Sequence, residues 1–331
     1  MRHCPPSAAT APAVAPRARR GWRRVWALLL VPVLVLGLAA CGSAAEPSFD
    51  VRVVGDASAP QLQFTTPLEV TEASSVVLAE GSGHRLVDGE PVLLDYRLVS
   101  AVDGSLIEQT YGSVPKVLRL TPDVLGTELY DALLGLTVGT RLVVFVPPDA
   151  EGVQNATVVL VDVRSTRAEG EANVPRPELP EVVLDDTGSP SISIPEGDPP
   201  ADLVVETLIK GAGAQVAEGA TITVQFTGFR WSDGVVVDST WDRDGPTSFT
   251  MSGVVKAWPQ GLVEQTVGSQ VLLVVPPAYG FGGLPDHELA DETLVFVVDI
   301  LAAGPGSPGA TEDAPADEAA ADPDDTKKDK S

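Results

Sequence analysis

The chain contains only two cysteines in 331 residues, Cys4 and Cys41. Six arginines and no acid occur in residues 1–24, and an apolar run extends from Val25 to Cys41. A basic start, a short apolar run and small residues at its end predict a secretory signal peptide over residues 1–40. A membrane span would need about 20 apolar residues. Because only Cys41 would remain after cleavage, an internal disulfide is excluded.

The end of this apolar run carries a second signal. The segment "LAAC", Leu38 to Cys41, is similar to the lipobox of bacterial lipoproteins, in which the cysteine becomes the first mature residue. The similarity implies lipidation at Cys41, a membrane partner through a lipid anchor, and a position on the outer face of the cell membrane. Residues 41–60 would then form a tether. The alternative is an uncleaved anchor with an incidental cysteine.

Basic residues and histidines are also scarce. The chain has 22 Lys and Arg against 46 Asp and Glu, and loss of residues 1–40 takes its net charge from −24 to −30. Nucleic acid is therefore excluded as a partner, because its binding needs basic patches. The histidines, His3, His84 and His287, have no second His or Cys at metal-ligand spacing, so we expect no metal. Without a nucleotide-binding glycine motif in its strand–helix context, we also expect no cofactor.

What the sequence does contain is a repeat. The segment "GSGHRLVDGEPVLLDY" (residues 81–96) matches "GAGAQVAEGATITVQF" (residues 211–226) at a constant offset of 130. Further on, "LTVGTRLVVFVPP" (residues 136–148) matches "QTVGSQVLLVVPP" (residues 265–277). Self-similarity of this kind indicates one structural unit present twice.

The repeat divides the chain into two predicted domains, residues 61–168 and 201–303. The connecting residues 169–200 are rich in proline and acid, although the alternating patch "SISI" could pair as an edge strand. The tail from residue 304 to 331 is acidic and lacks aromatics, so we predict that it is disordered.

Each repeat has the pattern of an α+β domain. The segment "TITVQF" (residues 221–226) alternates apolar and polar side chains, as a half-buried strand does. Pro259 suits the first position of one short helix, and Gly268 suits a left-handed stop. The pattern predicts strands that curl, antiparallel, over one short α-helix.

In the second repeat, five motifs follow one another over about residues 203–303: "VQFTGF", "VVVDSTWDRDGP", "VVKAWPQGL", "VGSQVLLVVPPAYGFG" and "TLVFVVDIL". Their order and spacing resemble the FKBP-type peptidyl-prolyl cis-trans isomerases. The resemblance implies two tandem FKBP-like domains, each a curved antiparallel sheet wrapped around one short α-helix. It also implies isomerisation of X-Pro bonds in exported proteins. The implied partners are proline-containing unfolded or exported polypeptides and macrolides of the FK506 and rapamycin type.

The resemblance assigns roles to individual side chains of the second repeat. Trp258 matches the residue on which the proline ring rests, and the N–H of Val255 is placed to bind a substrate carbonyl. The candidate catalytic residues are Phe226, Asp238, Trp258, Phe281 and Phe296. The candidate substrate-binding residues are Val237, Arg243, Val254, Val255 and Leu289.

Each of these residues also has a plain structural interpretation. Phe226 and Phe296 lie on predicted strands, and Phe prefers interiors. A surface pair of Asp238 and Arg243 would contribute about 0–1 kcal/mol. Leu289 lies in a loop that either overhangs the pocket or is simply solvated. Their joint occurrence in the family's order favours the pocket.

The second repeat also departs from the family's pattern. Val237 stands where Phe is usual, and Thr247 stands where another aromatic is common. Phe226 and Phe281 lack the hydroxyl of the usual Tyr, and a buried hydrogen bond is worth about 1 kcal/mol. We therefore expect a site that binds X-Pro but turns it over less efficiently than a typical member.

The first repeat departs further. It retains Tyr96, places Ile107 and Glu108 where the second repeat has a valine and an aspartate, and has Leu129 at the tryptophan position. Its loop between the double proline and the last strand, residues 149–156, is seven residues shorter than the matching loop. We predict a degenerate FKBP-like domain that does not catalyse and instead binds extended clients or acts as a spacer. For the whole chain, the alternatives to an isomerase are a catalytically weak or inactive lipoprotein that binds proline-containing peptides, and a structural spacer.

Overall fold

The computed structural model describes residues 50–148, 154–243, 245–284 and 286–306. Within these ranges the architecture is mostly sheet, with seventeen strands and three short α-helices. The strands form two hairpins, one six-stranded sheet and one seven-stranded sheet. The first hairpin pairs β1 (Arg52–Val54) with β2 (Gln61–Gln63), so it begins within the segment that we expected to be a tether.

The six-stranded sheet and its helices form what we term the N-terminal module, residues 74–164. Its strands run in the order β3-β7-β8-β4-β5, and β6 also pairs with β4. Two helices replace the single helix that we predicted, and they lie between β6 and β7. The elements are β3 (Ser74–Ala79), β4 (Pro91–Ser100), β5 (Leu106–Gln109), β6 (Lys116–Arg119), α1 (Pro122–Leu125), α2 (Thr127–Leu133), β7 (Arg141–Val146) and β8 (Thr157–Arg164).

The connecting segment contains three strands: β9 (Gly170–Ala172), β10 (Glu181–Leu184) and β11 (Pro190–Ser193). β10 and β11 form the second hairpin, in which Ile192 of the "SISI" patch lies opposite Val182. The edge position of the following sheet is taken by β9 instead. The alternation of polar and apolar residues could not distinguish a hairpin strand from an edge strand, because side chains point alternately to two faces in both.

The seven-stranded sheet includes β9, and its other elements form the C-terminal module, residues 204–304. Its order, β9-β12-β16-β17-β13-β14 with β15 on β13, repeats the N-terminal order and adds β9 at the edge. The elements are β12 (Val204–Gly211), β13 (Thr221–Arg230), β14 (Val236–Ser239), β15 (Thr247–Thr250), α3 (Ala257–Leu262), β16 (Gln270–Val275) and β17 (Leu294–Gly304).

Both faces of each sheet are covered. In the C-terminal module, α3 packs through Trp258 and Leu262 on one face, and the β10–β11 hairpin packs through Val182 and Ile192 on the other. The β1–β2 hairpin covers the corresponding face of the N-terminal sheet. All six residues of β16 are therefore buried, which explains why this strand reads as a continuous apolar run rather than an alternating one.

The helix of the C-terminal module differs in detail from its prediction. Pro259 is the third residue of α3 rather than the first. All positions of the first turn lack an intrahelical N–H acceptor, so proline is tolerated at each of them. The left-handed residue just after α3 is Glu264, at φ 69°, whereas Gly268 adopts φ 92° in the turn before β16.

Several sequence predictions fall outside the described residues. These are the signal peptide over 1–40, the lipidation site Cys41, and the tail beyond residue 306. In the ranges that are described, no helix is long and apolar enough to cross a membrane.

Candidate functional site

Four aromatic rings meet beneath one face of the C-terminal sheet. The ring centroid of Trp258 lies 5.1 Å from that of Phe226 and 5.7 Å from that of Phe296, with interplanar angles of 90° and 72°. Phe249 lies 4.9 Å from Trp258 on a further side. We term these four residues the aromatic cluster. Edge-to-face contacts at this spacing are favourable because the positive edge of one ring meets the negative face of the next.

The sheet register brings the phenylalanines together. Phe226 lies on β13 and Phe296 on the neighbouring β17, where Phe296 pairs with Gly228. Residues two apart on a strand share a face, so both rings project toward α3. Glycine at 228 is required by the packing, since a Cβ atom there would lie 2.7 Å from the Phe296 ring. Gly228 therefore allows the Phe296 ring to lie close against β13.

The helix supplies the floor of the site. Trp258 is the second residue of α3, and its N–H donates to the carbonyl of Val255 at 3.0 Å. The indole is only 4% exposed, and Phe226 and Phe296 are 8% and 6% exposed. Protein atoms thus enclose all three rings almost completely, in an apolar setting.

Half-buried aliphatic side chains complete this apolar surface. Val237, Val254 and Val255 pack against the same core cluster. Among the described residues, the Val255 N–H donates no backbone hydrogen bond. Because a backbone donor in an apolar setting favours a partner, this N–H is placed to bind a carbonyl oxygen.

An ion pair lies at the end of β14, beside Val237. Arg243 Nη2 lies 2.6 Å from Asp238 Oδ1, and its Nε donates to the carbonyl of Ser239 at 3.2 Å. The Arg243 side chain is half exposed, so the pair is a surface interaction of small energetic value. Its effect is geometric, because it holds the carboxylate and guanidinium in one orientation.

The loop before β17 contributes a second, separate stack. Phe281 and His287 are parallel, with ring centroids 4.1 Å apart and an interplanar angle of 3°. His287 Nδ1 accepts a hydrogen bond from the N–H of Leu289 at 3.1 Å. Leu289 is buried in the core cluster that contains Trp258, and Phe281 packs against that cluster. This loop therefore contacts the site, rather than being fully solvated.

All ten residues that the sequence predicted for the site are described. Phe226, Trp258, Leu289 and Phe296 belong to one buried cluster, and Val237, Val254, Val255 and Phe281 pack against it. The ion pair of Asp238 and Arg243 forms as expected. The roles of these residues in catalysis remain predictions.

Two members of the site, Phe249 and Gly228, were not predicted from the sequence. Phe249 was given no role in the sequence prediction, which noted only Thr247, two residues earlier, at a position where an aromatic is common. Its position three residues after Pro246, on an alternating strand, was the available signal. Gly228 could not be recognised from the sequence, since the close approach of Phe296 is a tertiary contact.

The same position in the N-terminal module is polar. Tyr96 Oη donates to Glu108 Oε1 at 2.7 Å, and Lys116 Nζ lies 2.5 Å from the same oxygen and 5.5 Å from the centre of the Tyr96 ring. The hydrogen bond from Lys116 lowers the pKa of Glu108, and the bond to Glu108 raises the pKa of Lys116. Burial raises the pKa of the Tyr96 hydroxyl. We term these three residues the polar triad.

Aliphatic residues take the remaining pocket positions of the N-terminal module. Leu129 on α2 stands in place of Trp258 and packs only partly buried against the core. Leu98 stands in place of Gly228, and Ile107 is 54% exposed. Within its described residues, this module therefore has a leucine rather than an aromatic side chain at the position of Trp258.

A family model described as FKBP-type peptidyl-prolyl cis-trans isomerase matches residues 213–301. A "Probable FK506-binding protein" of Corynebacterium glutamicum is 36% identical over 116 residues, which make up 34% of this chain and 98% of that relative. The chain belongs to the FKBP-type peptidyl-prolyl cis-trans isomerases. A second FKBP-type relative, the FK506-binding protein of Streptomyces anulatus, is 35% identical over 118 residues, 34% of this chain and 95% of the relative.

The crystal structure of FkpA from Escherichia coli shares 28% sequence identity with this FKBP-type chain. The match covers 38% of the present chain and 52% of FkpA, at a TM-score of 0.29. The FKBP family match over residues 213–301 lies within the C-terminal module and includes the aromatic cluster, the ion pair and the Phe281–His287 stack.

Proposed function

We propose that the C-terminal module is the isomerase unit of this FKBP-type peptidyl-prolyl cis-trans isomerase and that Trp258 seats the substrate proline. The observation that carries this proposal is the aromatic cluster, in which Phe226, Phe249 and Phe296 surround a nearly water-free indole. The family match falls on the same residues.

Isomerisation of an X-Pro bond makes and breaks no covalent bond. The barrier is about 18–20 kcal/mol because the planar amide must lose its resonance on the way. The twisted amide is less polar than the planar one, so a dry aromatic surface stabilises it relative to the ground state. The reaction therefore needs apolar walls and a few orienting groups, and it needs no nucleophile.

The side chains of the C-terminal module can divide this work. The proline ring would lie on Trp258 between Phe226 and Phe296, where water is excluded. The Val255 N–H would hold a substrate carbonyl and so fix one side of the rotating bond. The Asp238–Arg243 pair would shape the pocket edge, and the loop with Phe281 would cover the bound peptide.

The missing hydroxyls limit the expected efficiency. The Phe281 ring stacks on His287 but has no hydroxyl that could donate a hydrogen bond to a substrate carbonyl. Phe226 likewise has no hydroxyl that could donate to Asp238. A hydrogen bond of this kind contributes about 1 kcal/mol. Turnover should therefore fall below that of a family member that carries both hydroxyls, by about fivefold for each bond.

We propose further that the N-terminal module is an FKBP-like domain without isomerase activity, so that the chain carries two tandem domains. Its strand order repeats that of the C-terminal module, which supports a common fold. Its pocket position contains the charged polar triad and Leu129 instead of an aromatic floor. A charged, hydrated site does not favour the less polar twisted amide.

The cellular setting is a proposal that rests on the sequence alone. Residues 1–40 would be cleaved, Cys41 would carry the lipid, and the clients would be exported polypeptides folding outside the membrane. A Cys41→Ser variant should move the protein from the membrane fraction to the soluble fraction of fractionated cells. Retention of this variant in the membrane fraction would contradict the lipid anchor.

An isomerase assay on a Leu-Pro or Phe-Pro peptide tests the proposed function. Saturable acceleration by the full chain, inhibited by FK506, is the expected result. The missing hydroxyls favour one alternative, a module that binds proline-containing peptides without useful turnover. Tight FK506 binding with no acceleration of the peptide would establish that alternative and refute the isomerase.

A further inference from the structure

The two modules differ at the edge of the sheet as well as in the pocket. In the C-terminal module, the edge strand β12 is covered by the connecting segment, whose β9 pairs with Ile209, Lys210 and Gly211. In the N-terminal module, β3 has the matching position, and among the described residues no strand pairs with its outer side. An uncovered edge presents unpaired backbone N–H and C=O groups to an incoming strand.

The cover on β12 continues beyond β9. The N–H of Asn173 donates to the carbonyl of Leu208, and its side-chain Nδ2 donates to that of Thr207, both at 2.8 Å. Arg176 then pairs its Nε with the carboxylate of Glu206 at 2.8 Å. The connecting segment thus runs antiparallel to β12 and bonds to this edge from Glu206 to Gly211, with the basic residue Arg176 at one end.

One matched pair of leucines shows that the connecting segment also covers a face of β12, because Leu208 packs with Leu179 of that segment in one core cluster. Leu208 on β12 is 7% exposed, whereas Leu78, at the same position on β3, is 44% exposed. Val76 and Val77 beside it are 43% and 42% exposed. Both strands carry the same irregularity in register, between Val77 and Ala79 and between Thr207 and Ile209, so this bulge does not prevent a strand from pairing there.

We propose that the outer edge of β3 binds an extended, cation-flanked segment of an unfolded polypeptide as an added antiparallel strand. This inference rests on the proposed function only for the class of occupant, an unfolded polypeptide. Backbone hydrogen bonds would supply the affinity, and contact with Val76 and Leu78 would select apolar side chains.

Charge distinguishes this occupant from two others. The exposed carboxylates of Glu72 and Glu80 flank β3, which favours basic residues at the ends of the added strand. A second copy paired antiparallel would bring Glu72 close to Glu80 of its neighbour, in a chain of net charge −24. The chain's own residues 307–331 contain eight acids against three lysines, so they are repelled as well.

Hydrogen exchange of the full chain tests the proposal. The probe is the proline-free peptide Lys-Val-Thr-Val-Thr-Val-Thr-Lys, which lacks the ring that the isomerase site would hold. We expect the peptide to slow amide exchange in residues 74–81 and to leave residues 204–211 unchanged, because that edge is already covered. The same peptide with Glu in place of both terminal lysines should bind at least about tenfold more weakly.

Two variant chains with lysine substitutions provide the matched pair. Val76→Lys with Leu78→Lys, in one chain whose circular dichroism is unchanged, should abolish the protection of residues 74–81. Val183→Lys, at a 55% exposed position of β10, should not. Isomerase activity toward a Leu-Pro peptide should be the same in all three chains, which separates failure of this inference from failure of the isomerase.

Four results would overturn the proposal. Protection confined to the residues around Trp258 would place the peptide in the isomerase site. Protection of residues 74–81 that depends on protein concentration, without peptide, would identify a second copy as the occupant. Equal binding of the Lys-ended and Glu-ended peptides would show that charge does not select the occupant. No protection of residues 74–81 at any peptide concentration would show that β3 binds no added strand.

Discussion

The N-terminal and C-terminal modules share one strand order but place different chemistry at the same position. Below the C-terminal sheet, Trp258 is enclosed by three phenylalanine rings. Below the N-terminal sheet, Tyr96, Glu108 and Lys116 form a charged network beside a leucine. The backbone scaffold therefore fixes where a pocket can form, and a few side chains decide whether it is dry enough to stabilise a twisted amide.

A second contrast lies in the rows of polar side chains that cross each sheet. Asp162 on β8 makes two hydrogen bonds to Arg141, at 2.5 and 2.6 Å, and accepts one from the Tyr111 hydroxyl. The matching Asp299 on β17 has Gln270 Nε2 and the N–H of Ala168 as donors, each at 2.8 Å. One carboxylate is thus neutralised by a cation and the other is not.

Replacement of the Asp162 carboxylate, which pairs with Arg141, should have the largest effect on stability. Asp162→Asn leaves the Arg141 guanidinium without its carboxylate, and we expect a loss of about 2–3 kcal/mol in the free energy of unfolding. This is less than the 3–5 kcal/mol of a fully buried pair, because a quarter of the Arg141 side chain is exposed. Urea denaturation at pH 7 measures it. Asp299→Asn, the matched change, should cost clearly less, and equal losses would contradict the contrast.

A methyl group at position 228 should disturb the pocket itself. Gly228→Ala places a Cβ 2.7 Å from the Phe296 ring, and overpacking of this kind costs about 1–3 kcal/mol. We expect kcat/KM to fall severalfold as the ring moves from the proline seat. Leu98→Ala, the matched change in the N-terminal module, should lower stability but leave kcat/KM intact. An unchanged kcat/KM in Gly228→Ala would show that Phe296 is not a pocket wall.

The unpaired carboxylate predicts a specific dependence on pH. Burial raises the pKa of Asp299 from 3.8 to about 6, against the opposing effects of its two hydrogen bonds and Arg167. The folded chain therefore binds more protons than the unfolded chain between about pH 4 and 6, so this group's contribution to stability falls as pH rises through that window. Asp299→Asn should remove this part of the slope in thermal unfolding followed at several pH values. A slope that persists unchanged would locate the titrating group elsewhere.

Restoring a hydroxyl should have the smallest effect. In the N-terminal module, Tyr96 bonds to Glu108, which occupies the position of Asp238. Phe226→Tyr should form the corresponding bond to Asp238 and raise kcat/KM by no more than about fivefold, the equivalent of about 1 kcal/mol. A progress-curve assay on a Phe-Pro peptide resolves this change. A marked decrease would mean that the ring of Phe226 cannot tolerate a polar atom facing the pocket.

Local patterns were sufficient for much of this fold. The offset of 130 between the repeats predicted one structural unit present twice, and the alternation of "TITVQF" predicted a half-buried strand. The resemblance of the motifs to the FKBP family predicted that Phe226 and Phe296 lie near Trp258, but not that Phe249 does. The start of α3 was misplaced because proline is acceptable throughout a first helical turn, so Pro259 does not identify one position within it.

The features that could not be predicted from the sequence depend on tertiary contacts. The hairpin strands β1, β2 and β10 are three or four residues long, too short for periodicity to distinguish them from linker. The role of Gly228 depends on a ring from another strand, and the edge position of β9 depends on the free side of β12. Each becomes visible only once the strands are paired.

The central claim, that the C-terminal module alone isomerises X-Pro bonds, is tested most directly by NMR exchange spectroscopy on a Phe-Pro peptide. The full chain is compared with Trp258→Leu, which installs the N-terminal residue, and with Leu129→Ala. Trp231→Leu, a buried Trp under the opposite face of the C-terminal sheet, is the packing control. We predict at least about a tenfold loss of exchange rate per folded molecule in Trp258→Leu, equivalent to about 1.4 kcal/mol of transition-state stabilisation, and none in the other two. Equal activity in Trp258→Leu and the unaltered chain, or a loss in Leu129→Ala instead, would contradict the account.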